Sequence, residues 1–122
     1  MKNPEDGFIR ERLRSIKFAF RGMWLLVATE SSIKVQVFIS FVMIFLGFVM
    51  KLSPAEWVFQ FLAIGLVLVA ESLNTAIEKL CNFVHPDFHK KIGFIKDISA
   101  GASAFAAVIA VVIGLIIYLP KF

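Results

Sequence analysis

Polar and apolar positions follow two different patterns along this chain. Over residues 8–27 the apolar side chains Phe8, Ile9, Leu13, Ile16, Phe20 and Met23 or Trp24 recur at three- and four-residue steps, while Arg10, Arg14, Lys17 and Arg21 form a second stripe. One apolar and one strongly basic face predict a helix lying in a membrane interface, its cations near anionic headgroups. Further on, the charges gather into clusters and leave three uncharged runs: Val35–Met50 of 16 residues, Trp57–Ala70 of 14 and Ile98–Pro120 of 23. A helix needs about 20 residues to cross the hydrocarbon core. The third run crosses unaided, and the first two cross with polar flanks such as Ser31–Ser32 and Ser72–Asn74.

The expected architecture is an all-α membrane protein forming one domain over 1–122. It consists of an N-terminal interfacial helix over 1–29, transmembrane helices over about 30–50, 55–83 and 95–119, and a loop over 84–94. Pro54 opens the second span, and Pro86 in His85-Pro-Asp-Phe-His89 breaks the chain after it. Composition agrees: 59% of residues are hydrophobic against about 45–50% in soluble domains, and mean hydropathy is +0.83. Ala102, Ala106, Ala110 and Gly114 fall at four-residue intervals in the third span, a spacing that lets helix backbones approach within lipid. A three-span chain of this size buries little internally, so a homo-oligomer is expected.

Charge sets the orientation. Lys2, Arg10, Arg12, Arg14, Lys17, Arg21 and Lys34 precede the first span, and Lys79, Lys90, Lys91 and Lys96 lie between the second and third; only Lys51 and Lys121 lie on the opposite side. Eleven cations against two place the N-terminus and the 79–97 loop in the cytoplasm. The charged first 30 residues hold no apolar core with a cleavage site, so no signal peptide is expected. Cys81 is the single cysteine and forms no intrachain disulfide.

Against this background the stripe Glu71, Asn74, Glu78 stands out, at i, i+3 and i+7 at the end of the second span. An ionised side chain at the centre of a membrane helix costs about 2.5–3.5 kcal/mol on insertion scales, so such residues mark function by default. Glu30 ahead of the first span and Lys96-Asp97 at the start of the third fall at the same level. Carboxylates hold a hard divalent cation, a lysine neutralises phosphate, and a further carboxylate takes a proton from a hydroxyl. That is equipment for phosphoryl transfer from a nucleotide. The chain has no Gly-x4-Gly-Lys-Ser/Thr loop and no protein-kinase segments, so the site would be assembled from helix faces.

Duller readings exist for each residue: a solvated helix end for Glu78-Lys79, an ion pair with an N-terminal arginine for Glu71, a hydrogen bond across helices for Asn74, metal or haem ligation for His85 and His89. As whole-protein alternatives stand a non-catalytic membrane anchor and a small transporter. The anchor would need histidines inside spans, and the transporter a site near the midplane.

Three stretches, Arg12-Leu-Arg-Ser-Ile-Lys-Phe-Ala-Phe-Arg-Gly22, Glu71-x-x-Asn-Thr-Ala-Ile-Glu78 with Pro86-Asp-Phe-His89, and Lys96-Asp-Ile-Ser-Ala-Gly-Ala102, resemble the prokaryotic diacylglycerol kinases, including the related undecaprenol kinases. The resemblance implies a lipid kinase of the bacterial inner membrane, active as a homotrimer with sites shared between chains. It would use ATP and Mg2+ on a membrane lipid, diacylglycerol or undecaprenol, with no nucleic acid as partner. Position by position it implies Glu71 as general base at the lipid hydroxyl, Glu30 and Glu78 as magnesium ligands, and Asn74 as organiser of the site. It further implies nucleotide contacts from Asp87, Phe88, His89, Lys96 and Asp97, and a lipid contact at Ala100. Glu11 stands where some members carry an arginine, and Phe18 where some carry an aromatic hydroxyl. The Asn-Thr-Ala-Ile-Glu and His-Pro-Asp-Phe-His wording leans toward the undecaprenol-using branch.

Overall fold

The computed structural model describes residues 7–122; Lys2 and the first six positions of the expected interfacial helix lie outside them. Four helices follow one another: α1 Phe8–Thr29, α2 Ser31–Val49, α3 Pro54–Val84 and α4 Lys90–Tyr118, with a terminal 3-10 turn Leu119–Lys121. The helices α2, α3 and α4 are each long and apolar enough to cross a membrane, and the protein is a multi-pass membrane protein. At 1.5 Å per residue, the 31 residues of α3 measure about 46 Å, against about 30 Å of hydrocarbon. The helix is therefore about 16 Å longer than the core is thick.

Local chemistry sets most helix ends. Ser53 caps α3: its hydroxyl accepts from the Glu56 N–H at 3.2 Å while Glu56 accepts from the Ser53 N–H at 2.9 Å, and Pro54 takes the first helical position, where no N–H is needed. Ahead of it Lys51 adopts the left-handed conformation, φ 56°, which closes the α2–α3 turn. At the other end α4 begins at Lys90, ahead of the expected position 95, because His89 Nδ1 accepts from the Lys91 N–H at 3.1 Å and caps the helix. The connecting loop is therefore His85–His89, shorter than the expected 84–94. Between α1 and α2 the break at Glu30, φ −107° and ψ 116°, falls at neither Pro nor Gly, and no local residue preference accounts for it.

Helices α3 and α4 run antiparallel over most of their length, joined by three polar rungs. Tyr118 Oη donates to Gln60 Oε1, Ser103 Oγ donates to Glu71 Oε2, and Lys96 Nζ donates to Asn82 Oδ1 at 2.5 Å. Gln60, Glu71 and Asn82 are eleven residues apart, close to three turns, so all three project from one face of α3. Among the described residues the buried apolar set is small, and its one cluster, Leu52, Ile117 and Tyr118 packed by Met43, Leu46, Met50, Trp57 and Ile113, sits at the α2–α3 turn. Gly47 is needed there: a Cβ on it would come 2.7 Å from the Trp57 ring.

The four-residue series in α4 divides. Ala106 is buried, Ala102 is exposed, and a Cβ on Gly114 would meet nothing within 4 Å. Four-residue steps drift by about 40° each on a 3.6-residue helix, so the series turns gradually around the helix, from exposed Ala102 to buried Ala106 and half-buried Ala110 and Gly114.

The Gln60 rung binds three helices. Gln60 Nε2 donates to the Met43 carbonyl at 3.1 Å, and Tyr118 Oη lies 3.3 Å from the same oxygen. Gln60 and Tyr118 are 4% and 7% exposed. Replacing Tyr118 with Phe leaves Gln60 Oε1 without its donor. Because hydrogen bonds between membrane helices average about 0.6 kcal/mol and reach about 1.7, Tyr118→Phe is expected to destabilise the bundle by roughly 1 kcal/mol, read as a lowered thermal midpoint in detergent.

Candidate active site at the α3–α4 seam

Along α3 the functional stripe is most buried at its middle residue, Asn74. Glu71 is half-buried and anchored through Oε2 by the Ser103 hydroxyl of α4. Asn74, 8% exposed, donates from Nδ2 to Glu78 Oε1 at 3.3 Å, while its Oδ1 is buried without a protein partner. Beside it Thr75 and Ser99 are also buried, at 7% and 8%. Glu78 is exposed at the helix end. A buried acceptor with no protein partner is rare in native proteins, which singles out the oxygen of Asn74 as a place for a water or a ligand hydroxyl.

The α1–α2 break delivers Glu30 to this region. Its carboxylate, 20% exposed, meets Lys79 Nζ at 2.9 Å, next in sequence to Glu78. Among the described residues no group of three or more His, Cys, Asp or Glu side chains is placed around a common point for a metal ion. Magnesium, however, is commonly held by one or two carboxylates together with substrate phosphates, and Glu30 and Glu78 are oxygen donors of that kind. Their chemistry fits the ion.

Further from the membrane, Asp87, Phe88, His89 and Lys96 line one small hollow of about 140 Å³ with His85, Pro86, Ile92 and Gly93. Phe88 is 92% exposed, His85 Nδ1 lies 2.8 Å from the Asp87 carbonyl, and Lys96 reaches across to Asn82. Asp97 and Ala100 are exposed on α4. The expected residues thus fall into two groups on one seam, a deep one around Glu71 and Asn74 and an outer one around Lys96 and the loop. Along α4, the seven residues from Lys96 to Ser103 separate their rungs by about 10 Å. His85 and His89 face each other edge-on, ring centroids 5.0 Å apart, in the loop and outside any span.

Three participants escape sequence reasoning: Ser103 as the partner of Glu71, Lys79 as that of Glu30, and Asn82 as that of Lys96. Ser99 and Ser103, four apart within an apolar span, were the available signal for a polar face on α4. The arginine partner considered for Glu71 is replaced by the Ser103 hydroxyl, and Asn74 bonds along α3 to Glu78 where a bond across helices was the alternative.

A three-span helical membrane protein with a hydroxyl-anchored carboxylate between two of its spans and a hollow bearing Lys96 at the end of that seam has the parts of a small membrane enzyme. The family profile of prokaryotic diacylglycerol kinase matches residues 17–118, and the chain belongs to that family of lipid kinases. It is 37% identical over 108 residues to an undecaprenol kinase of Bacillus subtilis, covering 88% of each chain. It is 29% identical over 109 residues to a diacylglycerol kinase of Synechocystis, covering 88% of this chain and 62% of that one.

Proposed function

We propose that the protein transfers the γ-phosphoryl group of ATP to the primary hydroxyl of undecaprenol, with diacylglycerol as the second acceptor. The observation that carries this reading is Glu71, held through one carboxylate oxygen by Ser103 and leaving the other free at the α3–α4 seam. In the transfer the lipid oxygen attacks the γ-phosphorus, the bond to the β-phosphate oxygen breaks, ADP leaves, and the hydroxyl proton passes to Glu71. Asn74 Oδ1 supplies an acceptor for a hydroxyl or water beside it. Lys96, with Asp87, Phe88, His89 and Asp97, receives the nucleotide at the seam's outer end, and Ala100 lies on the lipid side.

Glu30 and Glu78 hold magnesium in this reading. Bound there, the ion supplies charge neutralisation between the phosphates. Lys79 must then release Glu30. With Lys79 66% exposed, that pair is of the surface kind worth about 0–1 kcal/mol, so it yields readily to a divalent ion. The basic end faces the cytoplasm, where ATP is found, α1 lies in the interface, and the working unit is a homotrimer whose sites combine residues of neighbouring chains.

The greater identity and fuller coverage of the undecaprenol kinase favour undecaprenol as acceptor. Purified protein given labelled ATP, magnesium and either lipid in mixed micelles is expected to phosphorylate undecaprenol with the higher kcat/KM. Exclusive transfer to diacylglycerol would reverse the assignment, and transfer to neither would refute it.

A further inference from the structure

Between the Gln60 rung and the Glu71 rung the three spans line a half-open cavity of about 330 Å³, walled almost entirely by apolar groups, a volume at the low end of the usual range for ligand sites. Its floor on α3 runs through Gln60, Ile64 and Val67, and its wall on α4 through Ala107, Val111 and Gly114. Glu71 stands one turn beyond Val67, and Ser103 one turn beyond Ala107. Both anchors of the catalytic rung therefore continue the faces of the cavity. At its other end the hydrogen-bonded Gln60, Tyr118 and Met43 carbonyl join α2, α3 and α4. From Gln60 to Glu71 is eleven residues, or about 16 Å, close to half of a hydrocarbon core about 30 Å thick.

We propose that this cavity takes the first part of the hydrocarbon chain of the lipid alcohol whose hydroxyl meets Glu71, with the Gln60–Tyr118 bond as its end wall. The inference rests on the proposed lipid-alcohol acceptor and assigns that acceptor a binding site. Continuity with Glu71 argues for this occupant: a chain descending from a hydroxyl at Glu71 toward the bilayer midplane enters the cavity without a turn. Depth argues for it as well, since the cavity lies where hydrocarbon is the solvent and its few polar groups, Gln36, Ser40 and Gln60, leave most of the wall apolar. Beyond the end wall a longer chain has to leave the bundle between helices for the surrounding lipid. Gly114 is then a residue that sets specificity: the open space above it is room for the chain.

Gly114→Leu tests the assignment, because Gly114 lines the cavity and a Cβ added there meets nothing within 4 Å. Wild type and variant are compared in mixed micelles on a long-chain lipid alcohol and on a homologue too short to pass Val67. The variant is expected to raise KM for the long chain roughly tenfold, the effect of crowding an apolar pocket, and to change KM for the short one by less than about twofold. In parallel, a long-chain alcohol carrying a mid-chain diazirine is photolysed with wild-type protein. Labelling is expected within 60–67 or 107–114 and is expected to be lost in the variant. Equal effects on both chain lengths, no effect on either, or labelling confined to other segments would overturn the proposal. A second copy of the chain seated in the cavity would appear as a changed oligomeric state of Gly114→Leu together with label excluded from these segments, which also overturns it. Wild-type protein that phosphorylates no lipid alcohol would refute the acceptor reading, and the label would still decide the cavity's occupant.

Discussion

Glu71→Gln is expected to lower kcat by about two to four orders of magnitude, the usual contribution of a positioned general base. The replacement keeps the volume and keeps an oxygen to accept from Ser103 Oγ, so the rung between α3 and α4 survives. What is lost is the capacity to hold a proton. Nucleotide binding and oligomeric state should therefore match wild type, measured by fluorescent-ATP titration and by size-exclusion chromatography in detergent. Near-wild-type turnover would remove Glu71 from the chemistry. Ser103→Ala separates positioning from proton transfer: removing one neutral hydrogen bond, worth about 0.5–1.5 kcal/mol, is expected to reduce kcat by no more than about tenfold. A loss as large as that of Glu71→Gln would give Ser103 a direct part in the reaction.

Glu78→Gln is expected to raise the magnesium concentration for half-maximal rate by tenfold or more, since even partners that only support a metal ligand contribute about 10–100-fold in affinity. At saturating magnesium most of kcat should return, because the amide still accepts from Asn74 Nδ2, 3.3 Å away in the native protein. Lys79→Met provides the contrast. It removes the cation that occupies Glu30, so the magnesium requirement should stay the same or fall. If Glu78→Gln leaves that requirement unchanged, Glu78 is a solvated helix end that serves only to hold Asn74.

Much of the architecture could be read from the chain because the membrane imposes simple rules. Backbone polar groups must be paired within each span, so uncharged runs of sufficient length are helices, and three such runs appear as α2, α3 and α4. Ser53-Pro54 and Pro86 fall at real helix ends since capping and proline geometry act within a few residues. The start of α4 was harder to place. His89 is a less familiar cap than Ser or Asp, and the apolar pattern of the span begins only after the first turns, at Phe94-Ile95.

The functional stripe was legible for an energetic reason: polar groups at spacings of three and seven in an apolar helix call for partners. The partners themselves were not. Ser103 is 32 positions from Glu71 and Lys79 is 49 from Glu30, and nothing local encodes those pairings. The small residues of α4 drift around the helix as a four-residue step must, so that Ala106 is buried and Ala110 and Gly114 line the cavity between the spans while Ala102 is exposed. Tyr118 and Gln60, 58 positions apart, join only because α3 and α4 run antiparallel in register.

By itself, then, the sequence determined the three spans, the basic end, and a polar stripe too costly to sit in lipid without a purpose. All of these follow from forces that act within a turn or two of helix or between a residue and the bilayer. Only the tertiary structure decided which hydroxyl anchors Glu71, which cation sits on Glu30, and that the space between the Gln60 and Glu71 rungs stays open. Those outcomes depend on the register between α3 and α4 and on how α2 leans on them, and such register is set by the summed packing of side chains far apart in the chain.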